Sequence, residues 1–88
     1  MKIKTPAQAG TIESNDVYVQ LLPNKDHTIE IRLKSVVYQQ FKDQILAVAH
    51  ATLKKMKITS CVLIMDDQGA LDYTIAARIE SAVKRSLC

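Results

Sequence analysis

The chain has 88 residues, 48% of them hydrophobic and 24% charged, with a formal net charge of +3. That length suits one small domain with a core just large enough to fold alone, and the apolar content excludes intrinsic disorder. The charge is modest and decides little alone, but the aromatics Tyr18, Tyr38, Phe41 and Tyr73 do not follow the pattern of nucleic-acid readers on a basic face, and no apolar run reaches the roughly 20 residues of a membrane span.

Residues 1–7 read as a loosely held lead-in containing Pro6, without the apolar segment that a secretory signal carries after its positive charges. Gln8–Ile12 and Val17–Leu22 read as two strands joined by the turn Glu13-Ser14-Asn15-Asp16. Short polar side chains bond the local backbone there, and Asn tolerates the left-handed region. Ser14 therefore falls at a hairpin tip with its hydroxyl facing water. Such a hydroxyl is badly placed to be a nucleophile and well placed to be modified.

Pro23-Asn24-Lys25-Asp26 is a turn, after which His27–Lys34 alternates between Ile29, Ile31, Leu33 and the polar Thr28, Glu30, Arg32, Lys34. That alternation is the pattern of a half-buried antiparallel strand. Ser35 then suits a helix cap. Val37, Phe41, Ile45, Val48, Ala49, Leu53 and Met56 make one helical stripe, with Phe41 expected in the core. Cys61–Met65 is apolar on both alternations, as in a strand covered on both faces, and Asp66-Asp67-Gln68-Gly69 ends it. Leu71, Ile75, Ile79, Val83 and Leu87 mark a second helix, supported by Glu80 and Lys84 four residues apart. The predicted order is β-β-β-α-β-α, an α+β two-layer sandwich with a small mixed sheet and two helices on one face. The helical crossover predicts parallel third and fourth strands, joined right-handedly.

Little in the chain suggests catalysis. His27 and His50 lie on different elements without metal-ligand spacing to cysteine, and nothing orients a Ser14–His27–Asp triad, which geometry alone would define. Asp66, Asp67 and Asp72 lack the ligand pattern of a calcium loop; their expected role is to satisfy free N–H groups after a strand and at a helix start. With only Gly10 and Gly69, there is no phosphate-cradling loop. Lys54, Lys55 and Lys57 form the densest basic cluster, where they favour a helix C-terminus. Cys61 inside an apolar strand and Cys88 at the end suit a reducing cytoplasm. From these residues alone, Ser14 reads first as a turn residue that bonds its own backbone, ahead of a modification site, and the chain as a protein-interaction domain.

A longer pattern narrows this. The run Pro6-Ala7-Gln8-Ala9-Gly10-Thr11-Ile12-Glu13-Ser14-Asn15-Asp16-Val17, with Asp67-Gln68-Gly69-Ala70-Leu71-Asp72 and Ala77-Arg78-Ile79-Glu80, resembles the acyl carrier (gamma chain) family of citrate lyase. The likeness extends from Met1 to about Leu87, with Tyr73 standing where a smaller residue or cysteine is expected. It implies a single acyl carrier domain over 1–88, with no metal and no catalytic residue of its own. It also implies that Ser14 carries 2'-(5''-phosphoribosyl)-3'-dephospho-coenzyme A through a phosphodiester. Acetyl and citryl thioesters on that arm would pass between the alpha (acyl transferase) and beta (citryl lyase) subunits in the cytoplasm, after a prosthetic-group transferase loads it. No nucleic acid or membrane partner is implied. The carrier of malonate decarboxylase, with a related arm, is the nearest alternative.

Overall fold

In the computed structural model, which describes residues 1–87, the strands are β1 (Ala7–Ala9), β2 (Val17–Leu22), β3 (Ile29–Ser35) and β4 (Cys61–Asp67). The two apolar stripes form the helices α1 (Tyr38–Lys55) and α2 (Asp72–Leu87), so the order is β-β-β-α-β-α as predicted. The strands form one mixed sheet in the order β1-β2-β4-β3. β2 is antiparallel to both β1 and β4, whereas β3 runs parallel to β4, which the helical crossover demands. The alternation of β3 thus reports a half-covered edge strand and not an antiparallel one.

Register explains the core. Ala9 lies opposite Val19, Val19 opposite Met65, and Met65 opposite Leu33, so these four share a face of the sheet. Leu21, Leu63 and Ile31 make the next row on that face. α1 covers it with Ile45, Ala49 and Leu53, and α2 with Ile75, Ile79, Ala82 and Val83. Both helices therefore lie on one face. The other face stays partly open, with Val62 opposite Leu22 and Ile64 opposite Gln20. Cys61–Met65 is consequently not covered twice: its continuous apolar run combines a buried face with a half-exposed one.

Several boundaries depart from the sequence reading, among them the start of β3, which is Ile29 and not His27. β1 stops at Ala9, because Gly10 turns the chain with φ 87°, and Ile12 is left exposed in the loop. β4 continues through Asp66 and Asp67, which pair with Tyr18 and Val17. Ser35 closes β3 and does not sit at the α1 N-cap, which is Val37; its hydroxyl nevertheless accepts the Val37 N–H at 3.1 Å. The lead-in is also held, since Ile3 is buried and donates its N–H to the Ser60 carbonyl at 3.0 Å.

Phe41 is the largest correction. It is 46% exposed, one turn before the first buried residue of α1, Ile45. Periodicity gave the helix face correctly, yet Phe41 lies in the first turn of α1, where it borders an open cleft and not the closed core. Phe41→Ala is therefore expected to cost about 1 kcal/mol or less, well short of the 3–5 kcal/mol of a buried phenylalanine. A denaturant midpoint close to wild type checks this.

Candidate functional site

The parallel strands β3 and β4 finish at the edge of the sheet where β2 begins and β1 ends. Residues 10–16, 36–37 and 68–71 therefore gather at one end of the molecule, together with the first turns of α1 and α2. Ser14 lies in the first of these loops, which is longer than the four-residue turn predicted. Gly10 makes the loop possible: a Cβ there would fall 1.8 Å from the Val17 carbonyl oxygen, so only a bare backbone fits so close to β2. Asn15 adopts φ 66°, the left-handed conformation that Asn tolerates. Ser14 is exposed, and among the described residues its hydroxyl has no hydrogen-bond partner.

The loop around that free hydroxyl is tightly pinned. Asp16 is buried, and Arg78 of α2 donates to it through Nε at 2.9 Å and Nη2 at 3.1 Å. The Thr11 hydroxyl donates to Asp16 Oδ2 at 2.7 Å and the Val17 N–H to Oδ1 at 2.8 Å. Thr11 Oγ in turn accepts the Glu13 N–H at 3.1 Å. Across the gap, the Asn15 N–H donates to the Gln68 carbonyl at 2.8 Å, and the Gln68 N–H to the Asp16 carbonyl at 2.9 Å. The second loop has its own anchor. Asp67, fully buried, accepts the Ser35 hydroxyl at 2.7 Å, the Ala70 N–H at 3.0 Å and the Gly69 N–H at 3.3 Å. The three segments that carry the family pattern thus meet around Ser14, although they are far apart in the chain.

The Arg78 hydrogen bonds, above all, hold the Asp16 carboxyl down from 3.8 to about 2; burial opposes them, and Thr11 and Val17 add to the depression. A carboxylate with a depressed folded pKa stabilises fully above its unfolded value and loses that contribution as pH falls through the folded one. The ion pair should therefore weaken between about pH 4 and pH 2. Asp16→Asn, which leaves buried donors poorly matched, is expected to cost about 1–3 kcal/mol at neutral pH. Urea midpoints of variant and wild type should converge as pH approaches 2.

The other candidates are not brought together. His27 occupies the turn after β2, at the opposite end of a strand that spans about 17 Å from Ser14's end. His50 is exposed well along α1. No Ser14–His27 pairing exists. Cys61 is buried at the start of β4, and burial pushes its thiol up to about 11, the opposite of a reactive thiolate; Cys88 lies outside the described residues. Asp67 takes the N–H-satisfying role expected of it, while Asp72, in the first turn of α2, accepts the Gln44 amide. Among the described residues, no three His, Cys, Asp or Glu side chains cluster as a metal site. Beside the Ser14 platform lies an apolar cleft of about 180 Å³, walled by Val37, Phe41 and Ile45 on one side and by residues 69–72 on the other.

Sequence reasoning placed Ser14 and the capping role of Asp67 but missed the Gly10, Asp16 and Arg78 frame around the serine. Gly10 had a readable signal, since an isolated glycine closing a strand pattern marks a close backbone approach. Arg78 stood out only as part of the family pattern, and nothing local paired it with Asp16, 62 residues away.

Comparison with known proteins adds a second line. Residues 4–86 match the family described as malonate decarboxylase delta subunit (MdcD). The chain is 50% identical over 86 residues to a citrate lyase acyl carrier protein of Clostridium perfringens, covering 98% of this chain and 85% of that one. A protein of the same description from Vibrio cholerae is 45% identical, with 98% and 88% covered; one from Streptococcus pyogenes is 43% identical, with 98% and 84% covered. Among solved structures, a chain of a Pseudomonas malonate decarboxylase hetero-tetramer in complex with malonate is similar with a TM-score of 0.80. That likeness covers 98% of this chain and 88% of the other at 16% identity, and so concerns the fold.

Proposed function

The chain belongs to the acyl carrier family that includes the malonate decarboxylase delta subunit and the citrate lyase carriers, and we propose that it serves citrate lyase as its acyl carrier, with Ser14 the attachment point. The observation that carries this reading is identity of 43–50% over nearly the whole chain to citrate lyase carriers. The solved malonate decarboxylase chain reaches only 16%, though the family description and the shared fold keep malonate decarboxylase as the second reading. The acyl group found on the arm separates the two.

The proposed group, a phosphoribosyl-dephospho-coenzyme A on the Ser14 hydroxyl, is compatible with its surroundings. The hydroxyl is exposed and engaged by no neighbour among the described residues. Both helices begin at this end, so their positive dipole ends favour a phosphodiester there. Arg78 offsets the nearby Asp16 charge. When bound, the group supplies a thiol that holds acyl units as thioesters. The chain's own part is mechanical: a loop pinned by Asp16, Arg78 and Gln68 presents Ser14 at a fixed place, so that the tethered acyl group stays at high effective concentration near partner sites.

In this reading the chain acts as one carrier domain over residues 1–88, loaded by a prosthetic-group transferase and served by alpha (acyl transferase) and beta (citryl lyase) subunits. A cytoplasmic setting agrees with Cys61 as a free buried thiol. Among the described residues, no helix is long and apolar enough to cross a membrane. The chain itself contributes no catalytic group. The loaded chain, purified free of partner subunits, should show no turnover of citrate, and adding both partners should restore cleavage to acetate and oxaloacetate. Cleavage by the isolated loaded chain would overturn the carrier reading.

A further inference from the structure

We propose that the cleft between the start of α1 and the β4–α2 loop receives the acetyl-thioester end of the arm on Ser14, an inference that rests on the carrier reading above. The cleft and the attachment site share a wall. Gly69 lines the cleft, and the position of its absent Cβ lies 3.8 Å from Oδ1 of Asn15, the residue after Ser14. The Asn15 N–H bond to Gln68 fixes that relation at 2.8 Å. A group tethered to Ser14 therefore meets this cleft at high effective concentration, because closing a flexible loop costs entropy that grows only slowly with its length.

Size and chemistry select the end of the arm. Phe41 and Leu71 are 46% and 60% exposed at the cleft, so its apolar walls face water when nothing fills them. A void of about 180 Å³ is slightly larger than the roughly 150 Å³ cavity that accepts benzene. It has room for the acetyl-thioethyl terminus and far too little for the whole arm. Polar groups stand at one side: Gln44 Nε2 donates to Asp72 Oδ1 at 2.9 Å and Oδ2 at 3.0 Å. The Gln44 carbonyl and the remaining Asp72 lone pairs can accept the amide N–H next to the thioethyl group.

A citryl thioester fits this place badly. Its carboxylates meet the like charge of Asp72 and apolar walls that offer them no compensation. The cleft thus discriminates between the two forms of the arm, sheltering the resting acetyl thioester from water and leaving the citryl form free for a partner.

The test uses the intact chain bearing the arm, with attachment verified by intact mass. Amide shifts are compared between the free-thiol and acetyl forms, and release of acetyl by hydroxylamine is compared with that from acetyl-coenzyme A. Shifts at Phe41, Ile45, Ala70 and Leu71 are expected in the acetyl form and not in the citryl form. Acetyl release should be slower by on the order of threefold, the protection given when docked outweighs free about two to one. Leu71→Asp, at a position that is 60% exposed, should return release to the acetyl-coenzyme A rate. With the arm present, unmoved cleft amides, unprotected acetyl or an unaffected Leu71→Asp rate would each overturn the inference alone. A chain whose mass shows no arm on Ser14 would overturn the carrier reading and this inference together.

Discussion

Ser14→Ala is expected to abolish acyl loading completely while leaving the domain folded. The hydroxyl supports no neighbour among the described residues, and an exposed substitution of this kind usually changes stability within about 0.5 kcal/mol. The other serines are poor substitutes. Ser60 and Ser86 are buried, and their hydroxyls donate to the carbonyls of Asn24 at 3.2 Å and Thr5 at 2.8 Å. Ser35 donates to Asp67, and Ser81 is half-buried on α2. Co-expression of Ser14→Ala with the transferase should therefore yield a chain of unmodified mass and normal thermal stability. Addition of the arm to that variant would remove Ser14 from the account.

The largest expected loss of stability comes from Gly10→Ala, a change of one methyl group. Its Cβ would sit 1.8 Å from the Val17 carbonyl oxygen, at a backbone φ of 87°. The left-handed conformation costs an L-residue about 1–2 kcal/mol, and forcing backbone apart in a packed region adds roughly 1–3 kcal/mol. A sum of about 2–5 kcal/mol is a large share of the 5–15 kcal/mol that holds a domain together. Gly69→Ala is the matched control. It has the same φ of 87°, but a Cβ there meets only Asn15 Oδ1 at 3.8 Å. It should cost about 1–2 kcal/mol, the conformational part alone. Equal unfolding midpoints for the two variants would mean that β1 and β2 do not approach as described.

The same two glycines show what could be read from the chain and what could not. Strands and helices were legible because Ile29, Ile31 and Leu33 repeat every second residue, and Ile75, Ile79 and Val83 every fourth. Those periods reflect burial of one face, and burial is what the sheet imposes. They say nothing about where a stripe leaves the closed core, and so Phe41 followed it yet lies at a cleft. Cys61–Met65 misled for a related reason, since Val62 and Ile64 occupy a half-open sheet face where apolar residues remain tolerable.

Ser14 itself was legible, because short polar residues between two β-like runs belong at an exposed turn. Its frame was not. The Asn15–Gln68 contacts follow from the antiparallel register of β2 on β4, and the Asp16–Arg78 pair from the packing of α2 against β1 and β2; both join residues distant in sequence. The family pattern carried that information without its reason. Thr11, Asp16, Gln68 and Arg78 hold still a loop whose one free hydroxyl is Ser14.

Mass analysis of the chain isolated from its native host during growth on citrate tests the central assignment most directly. The account predicts a single added mass equal to phosphoribosyl-dephospho-coenzyme A, with or without an acetyl group, confined to the peptide containing Ser14. An unmodified chain, or the same mass on any other residue, would contradict it.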